Sequence, residues 1–431
     1  MKPAKRFLLV LTSVWFIALV ALTTRLVFAW NQQGKIPHQV LATVPFDQET
    51  GNIALSLSEG HGYGNLFRKD TGATAWLAPV YPFLLFLIFR FFGAMTLASF
   101  FLAVLLNAVS SAAATFPLFA LARRAAGVPA AAVSAWVWVF LPAGILMPFE
   151  WIWDTSLSSL LAVSLVWATF EAAESRKRSW WLAYGLLWAF ALLTNPALGI
   201  ALPFLFAWAI SRCTFPGRRS WTTPAAALAL LALCCLPWML RNYYHFHRFI
   251  PIRSSLPFEL WIGNNDIFDP NARHGIQRIT RYEETRRYAQ LGETGYLDEK
   301  ARLARSFIQG NPGLFGRLVG RRIIATWLGT EHPYEDFKRT DSVLVRTVLI
   351  VNLLLTAGTF AGIWLLLWKK PLPAVPLIVF PMLYPVIYYV THTSLRYRHP
   401  IDPLLVLLTV YSVVCAIRVL PPFARPAVFP S

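Results

Sequence analysis

Long apolar runs separated by polar connectors dominate the chain, and neither helical amphipathic periodicity nor strand alternation describes most of them. Ten runs qualify as membrane-crossing helices, at roughly 7–30, 96–121, 128–148, 155–171, 180–194, 197–211, 222–240, 344–368, 373–391 and 402–420. Several fall short of the usual ~20 residues, which implies tilts, thinned ends or half-helices. An eleventh apolar stretch, 77–92, is short and opens with Pro79 and Pro82. It is read as an interfacial or re-entrant helix on the outer face, because counting it as a span would invert everything after it. The expected fold is an all-α polytopic membrane protein with about ten transmembrane helices and two outward-facing loops carrying short helices.

Charge orients this pattern. Lys2, Lys5 and Arg6 precede the first run, which is long and lacks a cleavage signature, so it reads as an uncleaved span starting in the cytoplasm. Alternation then brings Arg123–Arg124, Arg176–Lys177–Arg178, Arg212 with Arg218–Arg219, and Lys369–Lys370 to the inside. Arg396 and Arg398 are the exception and fall outside. The two long polar segments, 31–96 and 241–341, also face outward. The second holds 16 Lys and Arg against 12 Asp and Glu, with helical patterning over Leu297 to Gln309, and suits a folded cap. Three parts follow: an N-terminal transmembrane catalytic module, 1–240, that includes the outer loop; an outer loop, 241–342; and C-terminal transmembrane helices, 343–431. The setting is the inner, cytoplasmic membrane, with the active face outward.

Composition agrees: 56% of residues are hydrophobic, 15% aromatic and only 14% charged, with a mean hydropathy of +0.51. No soluble domain buries that much apolar side chain. The net charge of +18 is scattered over connectors rather than gathered on one face, so membrane lipids, not nucleic acid, are the partners it fits. Cys213, Cys234, Cys235 and Cys415 offer no disulfide framework or metal-ligand spacing.

The candidate chemistry lies on the outer face. Asp47 and Glu49 stand at the start of a short amphipathic helix closed by Gly60, Gly62 and Gly64, where they also suit the positive end of the helix dipole. Asp154 sits among aromatics at the mouth of a span, where an acid is costly without a partner or a role. Asn195–Pro196 interrupts the apolar run from Trp180 to Ile210. Arg241 and Asn242 end the next run, and Glu259 and Asn264 follow soon after. Arg396 and Arg398 defy the positive-inside bias, which an anion waiting there would explain; snorkelling to water is the plainer account. Acids can take a proton from a hydroxyl or hold a divalent ion, and arginine can neutralise a departing phosphate.

In order, Ala54-x-x-Leu57-x-x-Gly60-x-Gly62, Thr74-Ala-Trp-Leu-Ala-Pro-Val-Tyr-Pro82, Leu193-Thr-Asn-Pro196, Pro237-Trp-x-x-Arg-Asn242, Leu260-Trp-x-Gly-Asn-Asn265 and Arg396-Tyr-Arg-His-Pro400 resemble the C-type membrane glycosyltransferases. The relatives it resembles are of the aminoarabinose transferase and protein O-mannosyltransferase type. The resemblance implies an inverting hexosyltransferase-type enzyme that takes its sugar from a polyprenyl phosphate and passes it to a lipid, glycan or protein acceptor. It implies a catalytic acid at Glu49 or Asp47, although the family's adjacent Asp-Glu pair is replaced here by Asp-Gln-Glu. It implies a second acid at Asp154 and donor-phosphate contacts at Arg396, joined by Arg398 and Arg241. Asn195, Asn242, Glu259 and Asn264 then line the substrate cavity. No cofactor is required by the motifs, though a divalent metal would fit the acids. A lipid-linked sugar flippase, or a surface-polysaccharide ligase or polymerase, is the competing reading; the flippase would be expected to show a second broken span, and only one is visible.

Overall fold

The computed structural model describes residues 9–68, 70–213, 219–265, 275–329, 343–369 and 371–419. Lys2, Lys5, Arg6, Arg218 and Lys370, counted above among the basic connectors, lie outside the described residues. Among those described, helix is the only regular structure apart from one bridge between Gly64 and Ala73.

The first half runs through α1 (Val14–Gln33), α2 (His38–Thr43), α3 (Glu49–Ser58), α4 (Val80–Phe92), α5 (Leu97–Ala113) and α6 (Thr115–Ala126). Next come α7 (Val128–Phe140), α8 (Pro142–Glu150), α9 (Thr155–Glu174), α10 (Arg178–Thr194), α11 (Leu202–Ser211) and α12 (Arg219–Phe246). The polar cap contributes α13 (Leu256–Gly263), α14 (Gly275–Gly310) and α15 (Pro312–Leu328). The chain ends with α16 (Val343–Lys369), α17 (Pro371–Leu383), α18 (Val386–Val390), α19 (Leu395–Arg398) and α20 (Asp402–Val419).

All ten predicted segments coincide with helices. Among the described residues seven helices are long and apolar enough to cross a membrane, and α7 with α8, bent by 43° at the break at Leu141, would make an eighth. The remaining two are short. α10 has 17 residues and reaches about 25 Å, less than a ~30 Å hydrocarbon layer. α11 is parted from it by a 3-10 turn, Pro196–Ala201, because Asn195 ends α10 and its side chain accepts from the Ala197 N–H at 3.1 Å. α4 is likewise too short to span, and Phe83, Leu87, Phe91 and Phe92 stay exposed along it.

The bundle turns its apolar side chains outward as well as inward. Trp15, Trp30, Leu233, Trp364 and Trp368 are all exposed, a surface suited to lipid rather than water. Inside, helices approach through small residues: a Cβ at Gly362 of α16 would collide with the Leu408 carbonyl of α20, and one at Gly358 with Thr409. Arg25 of α1, 1% exposed, ties three helices together by donating to Ser111 Oγ at 2.8 Å, the Ala21 carbonyl at 2.9 Å and the Trp138 carbonyl at 3.3 Å.

The two ends of the bundle differ in chemistry. At one, Arg124 of α6 meets Glu171 and Glu174 of α9, and Arg418 of α20 donates to the Ala126 carbonyl. At the other, both polar segments fold together. Glu293 of α14 is the clasp: it accepts from Thr74 Oγ1, from the Ala75 N–H at 2.9 Å, and from Ser254 and Tyr288 hydroxyls, both at 2.7 Å. Arg322 of α15 donates to the Gly263 carbonyl, to Asn264 and to the carbonyls of Tyr389 and Val390, joining the cap to the C-terminal helices. The chain is a multi-pass, all-helical membrane protein.

Candidate active site

A cavity of about 280 Å³ opens at the end of the bundle that carries the cap. Its walls come from the start of α9, the break after α10, the segment leading into α13, the α17–α18 turn, and the residues around α19. Sequence regions far apart therefore converge here. Asp154, Asn195, Glu259 and Arg396, all singled out from the sequence, line it together.

Asp154 is positioned by its own helix. It stands at the N-cap of α9 without capping it, and its Oδ2 instead accepts from Ser158 Oγ at 3.0 Å. Asn195 Nδ2 in turn donates to Ser158 Oγ at 3.2 Å, so the helix break steers the acid through one hydroxyl. Burial raises the Asp154 pKa above the usual carboxylate value. The Ser158 bond and the charges of Arg253 and Arg396 pull it partly back.

Arg396 lies flat over two indoles, with its guanidinium carbon 4.6 Å from the Trp151 ring and 4.5 Å from that of Trp153. One Nη donates to Tyr397 OH at 3.1 Å, and its buried Nε has no protein acceptor. Among the described residues no carboxylate lies within ion-pairing distance of it, although the charges of Glu259 and Glu49 act on it. It is a desolvated cation held in place by aromatics.

Two further residues complete the charged wall, and the sequence reading had passed over both. Arg253 donates to Glu259 Oε1 at 2.6 Å, and its Nε reaches the Trp76 carbonyl and Ser255 Oγ. His392 Nδ1 lies 3.4 Å from Glu259 Oε2, and its other nitrogen is 3.1 Å from Tyr397 OH. Burial lowers the His392 pKa, and the Arg396 and Arg322 charges lower it further, against the opposing pull of Glu259. The polar Thr391-His-Thr-Ser394 stretch closing an apolar run was the available signal for His392. Arg253 is one of many cap arginines and carries none.

The other sequence-derived residues stand elsewhere. Glu49 begins α3, beside the cavity: the next residue, Thr50, donates to the Ile152 carbonyl, two residues before Asp154. Asp47 faces away, 3.7 Å from Arg68. Arg241 donates to the carbonyls of Thr74 and Tyr63 at 2.6 and 2.7 Å, and stacks on Trp238. Arg398 is enclosed, paired with Asp402 at 3.0 Å and donating to the Trp327 carbonyl. Asn242 holds the Ile250 carbonyl, and Asn264 those of Leu260 and Val390. Among the described residues no group of three or more His, Cys, Asp or Glu is placed to hold a metal ion.

Comparison with known proteins agrees with this picture. Residues 77–240 match the family model of dolichyl-phosphate-mannose-protein mannosyltransferases. No curated protein sequence matches. Among solved structures, the oligosaccharyltransferase of Archaeoglobus fulgidus, solved with zinc and sulfate, aligns at a TM-score of 0.52 and 14% identity. The alignment covers 94% of this chain and 49% of that one, so the chain spans about half the length of that relative. ArnT from Cupriavidus metallidurans aligns in its apo state at a TM-score of 0.36 and 15% identity, over 88% of this chain and 76% of ArnT. Its complex with undecaprenyl phosphate aligns at 0.38 and 13%, over 89% and 79%. The chain thus shares the helical membrane fold of that oligosaccharyltransferase, and its residues 77–240 match the mannosyltransferase family model.

Proposed function

We propose that this protein moves a sugar from a polyprenyl-phosphate-linked donor to an acceptor hydroxyl at the outer face of the cytoplasmic membrane, inverting the anomeric carbon. The observation that carries the reading is Arg396: a buried guanidinium with a free Nε, stacked on Trp151 and Trp153, in a cavity shared with Asp154. Such a cation suits a phosphodiester, whose non-bridging oxygens accept the planar guanidinium fork and which gains charge as it departs. The family description over 77–240 names a dolichyl-phosphate sugar, in line with a lipid-phosphate donor. The cavity is near the low end of small-molecule sites, ~300 Å³, which suits one sugar phosphate.

In the reaction, the acceptor oxygen bonds to the anomeric carbon as the bond from that carbon to the phosphate oxygen breaks. The phosphate departs with the bonding pair and Arg396 stabilises its charge, with Arg253 nearby. The acceptor proton passes to a carboxylate. Glu49 takes this role in preference to Asp47, since its charge acts on Arg396 whereas Asp47 pairs with Arg68. Asp154, aimed by Ser158 and Asn195, orients the reacting groups from the opposite wall. Glu259 holds Arg253 and His392 in register. The outward orientation is supported by the basic connectors, since Arg124 pairs with Glu171 and Glu174 at the bundle end away from the cavity.

The test is a donor screen with the full chain in nanodiscs, offering polyprenyl phosphates carrying different sugars together with a membrane extract as acceptor. Release of free polyprenyl phosphate, abolished in Arg396→Ala, is expected for at least one donor. Release no faster than in protein-free discs for every donor would overturn the proposal.

A further inference from the structure

A second and larger cleft, of about 780 Å³, lies on the other side of α3, between that helix, the loop 59–73 and the end of α12. α3 walls this cleft through Asn52, Leu55 and Ser56, while the charge of Glu49 at its start acts on Arg396 in the first cavity. Asn52 stands one helical turn beyond Glu49, about 5 Å along the axis. It is 3% exposed and lines the cleft. Its Nδ2 donates to the Leu66 carbonyl at 3.0 Å, which fixes the amide, and its Oδ1 has no partner. A buried acceptor left unpaired in a polar cleft costs stability unless something donates to it.

The formal charges of the described lining residues balance. Among the described lining residues, Glu59 and Asp70 face Arg68 and Arg241. His61 stands 3.5 Å from Glu59. Arg241 is a fixed wall, spent on the carbonyls of Tyr63 and Thr74. Gly62 and Gly72 hold φ of +82° and +77°, and a Cβ on either would meet nothing, so the loop is open towards the cleft. Balanced charge does not suit a lipid phosphate, which needs a surplus of cations. The lining also offers few apolar side chains, Leu55 chief among them, to anchor a peptide. Carboxylates, amides and guanidinium groups that both give and take hydrogen bonds suit sugar hydroxyls.

We propose that this cleft is the acceptor site and that it takes a neutral glycan, several sugar units long, whose terminal hydroxyl reaches Glu49 at the start of α3. The proposal rests on the transferase reading above and names the acceptor class for it. Glu49 then stands between donor and acceptor cavities.

The experiment uses the full chain in nanodiscs, titrated separately with maltohexaose, mannohexaose and galactohexaose, with undecaprenyl phosphate, and with a Ser/Thr-rich peptide. Asn52→Leu removes the unpaired acceptor, and His61→Trp fills the cleft from its exposed rim without touching a buried contact. Saturable binding of at least one hexasaccharide, weakened tenfold or more in both variants with undecaprenyl phosphate binding unchanged, is the expected result. No saturable binding of any hexasaccharide, weakening below tenfold in either variant, or binding of the peptide instead would overturn the glycan site. Undecaprenyl phosphate binding in the wild type reports separately on the donor cavity, so its absence would count against the transferase reading alone.

Discussion

Replacing Arg396 by alanine tests the reaction chemistry at its most exposed point. The guanidinium offers Nε and the N–H groups not taken by Tyr397, and a hydrogen bond to a charged group is worth about 1.5–3 kcal/mol. A fork to a phosphate that gains charge as it leaves should therefore contribute about 2–4 kcal/mol, or about 30- to 1,000-fold in kcat/KM. The same substitution removes the stacking on Trp151 and Trp153, about 0.5–2 kcal/mol of folding stability, so thermal melting must accompany the kinetics. Lysine restores a positive charge without the planar fork or the stacking, and should recover only part of the rate. The assay is initial rate of polyprenyl phosphate release against donor concentration, normalised to folded protein. Wild-type kcat/KM within threefold in Arg396→Ala would refute the phosphate role and leave Arg396 an interfacial arginine.

Asp154→Asn should cut turnover at least 100-fold while preserving the fold, and Glu49→Gln should do the same where Asp47→Asn does not; the reverse order would move the base to Asp47. The raised Asp154 pKa means the folded state keeps its proton to higher pH than the unfolded chain, so ionising it costs stability as pH climbs from the ordinary carboxylate value through the raised one. Thermal melts should then show Asp154→Asn more stable than wild type at neutral pH, with the difference vanishing in acid. Glu293→Ala leaves the donors of Thr74, Ala75, Ser254 and Tyr288 unpaired, costing about 3–4 kcal/mol, which a melt in detergent should register as a drop on the order of 5 °C or more. Gly362→Leu drives a side chain into the Leu408 carbonyl and should abolish accumulation of folded protein, read by size-exclusion chromatography, while Leu354→Ala on the exposed face of the same helix should not. Reporter fusions at Gly127 and Gly217 should read cytoplasmic and one at Gly292 external; a cytoplasmic Gly292 would reverse the orientation.

The helices and their number within two were legible in the chain, because lipid imposes a length and a polarity that each segment must satisfy alone. Asp154, Asn195, Glu259 and Arg396 stood out for the same local reason: each is a polar group where an apolar run ends or breaks. Tertiary structure decided which of those groups meet. Arg396 and Arg398 are two residues apart and share one set of local surroundings in the sequence, where only the motif resemblance favours Arg396, yet one lies over two tryptophans at the cavity and the other pairs with Asp402 and the Trp327 carbonyl. Arg241 looked like a phosphate ligand and instead holds two carbonyls of the first polar segment. Arg253 and His392 entered the site unannounced, brought there by Glu259. The direction of a side chain in a polar segment is set by partners 59 or more positions away, such as Glu293 with Thr74 or Arg322 with Tyr389 and the α13 end, and no local pattern encodes those pairings.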